Sequence, residues 1–285
     1  MMVCPVCNSE TARVCYTLPA YRIAACDDCG LQFNADFPGS GDQDGVFSEH
    51  YYRQQHEAAF AAQFGDISTD PSFVVYRHWL EHIEVEFGVG RVLDVGAGLG
   101  AFLRLARARG WDAQGVEISR FGAEYARTRH GLEIFQGDIQ QFPAPAQPFR
   151  LITFWDSLEH VRQPAANLLA ARRLLTDDGL ILISTDNFDC LVADIAVACY
   201  HLSVGRCCYP MRRTFIDRNV SFFTEKTFRA LLQRVGLRVV QFQKMEYPLD
   251  KIQTSPWERC ALMGLYAAAR VLGRQAQFTV LAGKQ

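Results

Sequence analysis

Arg91-Val92-Leu93-Asp94-Val95-Gly96-Ala97-Gly98-Leu99-Gly100 is the stretch on which the reading of this chain turns. An apolar run of strand type ends there in three closely spaced glycines, and a helical pattern follows at once, from Ala101 to Arg109. A strand that turns sharply into a helix, with glycines where a Cβ would obstruct, lets backbone N–H groups and a helix N-terminus approach a bound cofactor. The same glycine spacing also suits plain turns. After Gly110 a second apolar run, Ala113-Gln114-Gly115-Val116-Glu117-Ile118, carries an acidic residue near its end. A carboxylate placed there, on the order of 20 residues past the glycines, can accept hydrogen bonds from ribose hydroxyls.

Outward from the loop, strand and helix patterns alternate, which predicts an α/β fold with a parallel sheet and helices on both faces. Strands are expected at Arg91–Val95, Ala113–Glu117, Glu133–Gln136, Leu151–Trp155, Leu180–Thr185, Leu237–Lys244 and Phe278–Ala282. Helices are expected at Ala101–Arg109, Arg120–His130, Gln163–Leu175 and Glu225–Val235. Two parts break the rhythm: an insertion at about 187–224, holding the apolar stretch Cys190–Val204 and the basic run Met211-Arg212-Arg213, and an apolar helix at Pro256–Leu272. Both exceed what a plain connection needs. They are candidates for a substrate cover, a homodimer face, a wall for a lipid-linked acceptor, or simply extra core.

On the N-terminal side, residues 46–90 read as a helical lead-in, with helices at about His50–Phe64 and Pro71–Phe87. Pro38–Gly45 is a linker by composition. Residues 1–45 hold two tight pairs, Cys4-Pro5-Val6-Cys7 and Cys26-Asp27-Asp28-Cys29. Two such knuckles can set four thiolates tetrahedrally around zinc, with no position left open, so the metal would be structural. A reduced thiol set or a redox pair is the alternative, although a redox motif needs only one knuckle. Short strands are expected at Ala12–Tyr16, Tyr21–Ala25 and Leu31–Phe33, and so small a unit depends on its metal to fold. Cys15, Cys190, Cys199, Cys207, Cys208 and Cys260 show no ligand spacing and are expected to be buried small apolar residues.

Composition sets the outer bounds. At 285 residues and 49% hydrophobic content the chain can bury a large core. It has no uninterrupted apolar run of about 18 residues and no signal-peptide plan at its start, so a cytoplasmic protein without a transmembrane segment is expected. The net charge of −2 conceals an asymmetry: residues 1–90 hold 4 Lys+Arg against 13 Asp+Glu, the remainder 25 against 18. Opposite charges favour docking of the two parts, or are two solvated surfaces. Neither part has the dense basic patch of a nucleic-acid binder.

These residues together resemble class I S-adenosylmethionine (SAM)-dependent methyltransferases, in the subgroup with an N-terminal zinc ribbon. Val92–Gly100 resembles the first motif of that family, Glu117 the acidic end of its second strand, and Gln136-Gly137-Asp138-Ile139 its adenine-contacting turn. Ile152–Val161 is similar to the fourth-strand motif, Ser221–Phe228 to the segment leading into the last long helix, and Gly30-Leu31-Gln32-Phe33 with Tyr51-Tyr52 to the N-terminal half. The resemblance implies a Rossmann-like seven-stranded, mostly parallel sheet over 91–285 and a small zinc ribbon held by Cys4, Cys7, Cys26 and Cys29. It implies a SAM site built from Asp94, Gly96, Ala97, Gly98, Gly100, Glu117, Ile118, Asp138, Ile139 and Trp155, with Asp94 steadying the loop through backbone N–H groups.

The loop spacing also departs from the Gly-x-Gly-x-x-Gly that a pyrophosphate requires, in keeping with a cofactor that has no phosphate. The expected reaction is methyl transfer to a small-molecule hydroxyl on a sugar, glycan or natural-product intermediate; an RNA methyltransferase or a non-catalytic SAM-binding partner protein are the alternatives. His160, just past a strand's C-terminal end, is the candidate base or a merely packed residue, with Asp156 and Glu159 beside it. Some relatives hold a divalent metal on a similar acidic-x-x-Glu-His set. Asn219 stands where family members often have His.

Overall fold

The computed structural model describes residues 2–37, 47–55, 73–247 and 255–285. The linker Pro38–Gly45 and the ends of both lead-in helices toward residues 56–72 lie outside the described residues. The chain begins with three short strands, β1 (Ala12–Thr17), β2 (Arg22–Cys26) and β3 (Gln32–Asn34), followed by α1 (Glu49–Gln55) and α2 (Val74–Phe87). Then come β4 (Arg91–Val95), α3 (Ala101–Ala108), β5 (Asp112–Glu117), α4 (Arg120–His130), β6 (Glu133–Gln136), β7 (Phe149–Trp155), α5 (Pro164–Leu174) and β8 (Leu175–Asp186). The insertion holds α6 (Leu191–Leu202), α7 (Tyr209–Thr214) and β9 (Ser221–Phe222); α8 (Glu225–Arg234), β10 (Leu237–Met245), α9 (Pro256–Leu272) and β11 (Gln277–Lys284) complete the chain.

The main sheet has seven strands in the order β10-β11-β8-β7-β4-β5-β6. The five from β8 to β6 run parallel, while β11 lies antiparallel between β8 and β10. Both faces are covered, so neighbouring residues on one strand enter different cores. Leu93, Ile152, Ile181 and Ile183 pack with Leu168 of α5 and Phe228 and Leu231 of α8. Val92, Leu151, Leu180 and Leu182 pack with Trp79, Leu80 and Ile83 of α2 and Phe102, Leu103 and Leu105 of α3. The expected helices and strands sit within a few residues of their places, and the doubly wound sheet is as expected.

A second sheet has the order β1-β2-β3-β9. Its fourth strand comes from the insertion: Gln32 pairs with Phe222 and Phe33 with Ser221. The insertion therefore supplies core as well as surface, since Phe188, Met211, Phe215 and Phe222 pack with Leu18, Tyr21 and Ile23 of the ribbon. Tyr21 donates its hydroxyl to the Phe215 carbonyl across this contact. The two oppositely charged parts meet where Arg109, just past α3, bridges Glu84 at 2.6 Å and Glu81 at 3.4 Å on α2. One expectation is corrected. Of the six cysteines without ligand spacing Cys190 is buried, Cys15, Cys199 and Cys208 are half-buried, and Cys207 and Cys260 are exposed, because both lie on outward faces of the insertion and of α9.

Candidate active site

The glycine loop is a strained turn held from inside. Gly96, Gly98 and Gly100 have φ of 80°, 54° and 86°, the left-handed region that favours glycine. A Cβ on Gly100 would come within 2.3 Å of Leu132 Cδ1 and one on Gly96 within 2.6 Å of Ser157 Cβ, whereas at Gly98 the nearest atom is Tyr52 Cε1 at 3.6 Å. Gly98 is thus the least crowded of the three, lying in ordinary contact under the buried Tyr52 ring. Gly96 and Ala97 both donate their N–H to the Val116 carbonyl, at 2.8 and 3.0 Å, and Gly100 donates to Ala97 at 2.9 Å. The N–H groups of Gly96, Ala97, Gly98 and Gly100, expected to face a cofactor, are thus spent on the protein itself.

Glu117 ends β5 beside this turn and is 3% exposed. Its Oε2 accepts from the Gly98 N–H and its Oε1 from the Ser119 N–H, each at 2.7 Å. Burial pushes its carboxyl up, while the Ser119 and Gly98 N–H groups, the Tyr52 hydroxyl and the Ile118 N–H pull it down. Ile118 thereby enters through its backbone. Asp138, after β6, caps a single 3₁₀ turn by accepting from Gln140 N–H at 2.8 Å, and Ile139 is buried behind it. Asp94 on β4 is buried as expected of a structural residue, but the partner it accepts from is the Thr153 hydroxyl of β7 at 2.7 Å, not the loop N–H groups. Burial raises its carboxyl to about 7 against the help of Thr153. Trp155 closes the floor between Tyr76 and Phe102, with its indole N–H buried and unpartnered.

The next two strand ends, of β7 and β8, hold a second cluster of polar groups. Asp156, immediately after β7, has φ 46°, a conformation that costs a non-glycine residue energy and is typical of functional turns. Its Oδ1 accepts from Ser184 Oγ and Gln277 Nε2, each at 3.4 Å. Asp186 ends β8 and accepts from Asn219 Nδ2 at 3.4 Å. Burial and the charge of Asp156 raise its carboxyl to about 6. Glu159 is 2% exposed, accepts from Thr185 Oγ1 at 2.8 Å, and is raised well above the usual carboxylate range by burial, Asp186 and Asp156. His160 Nδ1 lies 3.2 Å from the Arg218 carbonyl, which places the ring proton on Nδ1, and burial lowers the ring to about 4. Asp156, Glu159 and His160 thus turn to different partners. Among the described residues their ligand atoms form no metal-binding group.

Tyr51 and Tyr247 complete this cluster; burial raises both phenols, and both sense the charges of Asp156 and Glu159. Arg218 stacks over the Tyr51 ring at 5.0 Å. Asp186, Gln277 and Tyr247 stand outside every motif that the sequence marks. Asp186 ends a parallel strand, the same signal that marks Glu117, and is findable by it. Gln277 and Tyr247 lie beside the antiparallel strands β10 and β11 and give no such signal.

The ribbon's four thiols converge, with every pair of sulfurs among Cys4, Cys7, Cys26 and Cys29 within 4.8 Å. Cys4 and Cys29 are 3.5 Å apart, as are Cys7 and Cys26. A tetrahedron with Zn–S bonds of about 2.3 Å has edges of about 3.8 Å, so the set fits a structural zinc with all four positions taken by protein. Burial pushes the Cys4 and Cys29 thiols up; burial acts likewise on Cys26, but N–H groups of Cys29 and Asp28 bring it below its ordinary value. A central cation is what would hold all four as thiolates.

Comparison with known proteins agrees with this geometry. A family described as "Methyltransferase domain" matches residues 84–242, more than half of the chain. The ubiquinone biosynthesis O-methyltransferase of Alkalilimnicola ehrlichii is 32% identical over 104 residues, 34% of this chain and 42% of the relative. That of Neisseria meningitidis serogroup A is 33% identical over 106 residues, 34% of this chain and 44% of the relative. The chain therefore spans less than half the length of either. Among solved structures, magnesium protoporphyrin IX methyltransferase from Synechocystis PCC 6803 with bound SAH aligns with a TM-score of 0.56 at 13% identity, covering 86% of this chain and 100% of that one. At that identity the likeness is one of fold.

Proposed function

The chain belongs to the methyltransferase-domain family, and on that premise we propose that it methylates a hydroxyl oxygen of a small-molecule acceptor, with S-adenosylmethionine as donor. One observation carries the choice of donor. The loop spends the N–H groups of Gly96, Ala97, Gly98 and Gly100 internally, and the neighbouring strands β4 to β8 each place a carboxylate at or near their C-terminal ends: Asp94, Glu117, Asp138, Asp156 and Asp186. A phosphate would meet repulsion and few donors there. A cofactor with a cationic sulfonium and amino group, ribose hydroxyls and an adenine meets acceptors instead. The same edge disfavours a polyanionic acceptor such as RNA.

When bound, SAM supplies a methyl group already activated by its sulfonium. Glu117 would accept from the ribose hydroxyls, and Asp138 with the Ile139 N–H would orient the adenine. Gly98, without a side chain, and the Tyr52 ring over it would border the cofactor, and Trp155 with Tyr76 would exclude water. An oxygen acceptor must lose its proton as it is methylated. Asp186 is suited to take it, being half-buried at the strand edge, where Asn219, in place of the family's frequent histidine, can steady its carboxylate. His160, with its Nδ1–H bonded to Arg218 and its basicity depressed, serves better to position the 216–220 segment than to accept the proton.

The O-methyltransferase names of the relatives support an oxygen acceptor; a sugar or glycan hydroxyl is one member of that class. Incubating the purified chain with methyl-labelled SAM and small-molecule extracts, and reading labelled products by mass spectrometry, tests the proposal. Transfer to an oxygen supports it. Absence of SAM binding by calorimetry in the micromolar range overturns it.

A further inference from the structure

The outward side of α9 is apolar along its whole length. Among the described residues, only Tyr266 and Ala269 of this helix are buried, with Glu258, Leu262 and Leu265 partly so. All five fall on one arc at 3.6 residues per turn. The opposite arc carries Trp257, 72% exposed, Met263, 56%, and Val271, 87%, with small residues at Gly264, Ala267 and Ala268 between them, while Leu272, 61% exposed, ends the helix two turns past Leu265. Its only charges are Arg259 and Arg270, about three turns apart and so on one stripe at the edge of the arc. Arg270 lies within reach of the half-buried Glu246, which is engaged by the Ala276 N–H at 3.3 Å. The helix's own acid, Glu258, is taken by the cap, accepting from Ser255 N–H at 2.8 Å and Ser255 Oγ at 2.7 Å.

The neighbouring elements extend this surface. α6 runs antiparallel to α9, with Leu191 N–H donating to the Arg274 carbonyl at 2.9 Å just past the end of α9. The charge of Arg213 on α7 reaches Glu258 in the first turn of α9. Leu202, 86% exposed, and Val204, 87%, close α6, and Tyr209, 72% exposed, opens α7, with the exposed Arg206, Arg212 and Arg213 beside them. Large apolar and aromatic side chains with arginines at the rim are the composition of a helix that lies in a lipid–water boundary.

We propose that α9, flanked by the α6–α7 turn, docks this chain on an anionic membrane surface, with Trp257, Met263 and Val271 entering the boundary layer and Arg259 and Arg270 meeting lipid phosphates. Charge decides against a second copy as the occupant. A two-fold antiparallel pairing along α9 centres near Gly264 and sets Arg259 opposite Arg270 of the other copy, cation against cation, with no free acid on the arc to offset them. Anionic headgroups satisfy both arginines at once. No helix of the described residues is long and apolar enough to cross a membrane, so the contact is with the surface.

Co-sedimentation of the full chain with vesicles of phosphatidylcholine alone, or of phosphatidylcholine mixed with phosphatidylglycerol, tests this. The chain is expected to pellet with the mixed vesicles and to release as salt rises. Arg259→Ala and Arg270→Ala should each weaken binding about fivefold, and Trp257→Glu with Val271→Glu should abolish it. SAM binding and the melting temperature should stay unchanged, since all four positions are exposed and outside the cofactor site. No binding to mixed vesicles, or binding indifferent to these variants, overturns the proposal. So does a dimer in sedimentation equilibrium that Val271→Glu dissolves while vesicles are ignored.

Discussion

Gly98 donates its backbone N–H to Glu117 Oε2 over 2.7 Å, which ties the turn after β4 to the carboxylate that ends β5. The pair fixes the position of the turn against the end of β5. Glu117→Ala strands the N–H groups of Gly98 and Ser119, at about 1–3 kcal/mol for each buried donor. The expected outcome is a lower melting temperature and at least about a tenfold loss of SAM affinity by calorimetry. Glu117→Gln, which keeps shape and one acceptor oxygen, should regain much of the stability and little of the affinity. An unchanged affinity in both variants would remove Glu117 from the cofactor site.

Asp186 and His160 are separable by pH. With its carboxyl raised to about 6, Asp186 is ionised above that value and protonated below it. As the proton acceptor it makes kcat/KM climb through about pH 6 and then level off. Asp156, Glu159 and Tyr247 share the cluster, so the limb belongs to the group as a whole. Asp186→Asn should lower kcat by about 10²–10⁴ with SAM affinity retained, and His160→Ala should leave the limb in place. If the limb instead vanishes with His160→Ala and persists in Asp186→Asn, the roles are exchanged.

Asp94 predicts a stability profile. Its folded value of about 7 stands above the ordinary carboxylate value, so the native state holds the extra proton between about pH 4 and 7. The sign follows: the stabilising contribution is complete below about pH 4, is lost as pH rises through about 7, and stays lost above it. Asp94→Asn, neutral and still able to accept from Thr153, should therefore be the more stable protein at pH 8, by up to about 4 kcal/mol, with the gap closing toward pH 4. Denaturant melts of both proteins across that range measure it. A gap that does not change with pH would refute the assignment.

The ribbon reaches the cluster at the ends of β7 and β8 by a continuous seam. Asn34 N–H donates to the Val220 carbonyl at 3.0 Å, Asn34 Nδ2 to the Asp217 carbonyl at 2.9 Å, and Val220 N–H to the Glu159 carbonyl at 2.8 Å. Cys26→Ser should empty the zinc site and loosen residues 217–222. Hydrogen exchange should then accelerate there and not at β4, metal analysis should show zinc lost, and SAM binding should persist while methyl transfer falls. Protection of 217–222 that survives zinc loss would show the seam to be passive.

Much of this was legible because the parallel strands are apolar on both faces and end in glycine or acid, signals contained within a few consecutive residues. The Val92–Gly100 turn, Glu117, Asp138 and the four thiols all have that local character. What escaped depends on contacts far apart in the chain. Ser221–Phe222 is too short for any periodicity, and its partners Gln32 and Phe33 lie near the other end of the sequence. The loop N–H groups are expected from sequence to face a ligand, but Val116 O and Glu117 claim them, which only the strand register determines. His160 looks like a base by position; the Arg218 carbonyl that holds its proton comes from the insertion.

The pairing of β3 with β9 bears on how the protein emerges from the ribosome. The knuckles and their three strands leave the exit tunnel before the insertion and can bind metal at once, but the outer edge of β3 stays uncovered until Ser221 and Phe222 follow. Until then the nascent chain carries an open strand edge, a template for pairing with another chain. Truncations ending before residue 220 keep that edge permanently and should aggregate even with zinc bound, so the insertion acts, in effect, as the ribbon's late-arriving guard.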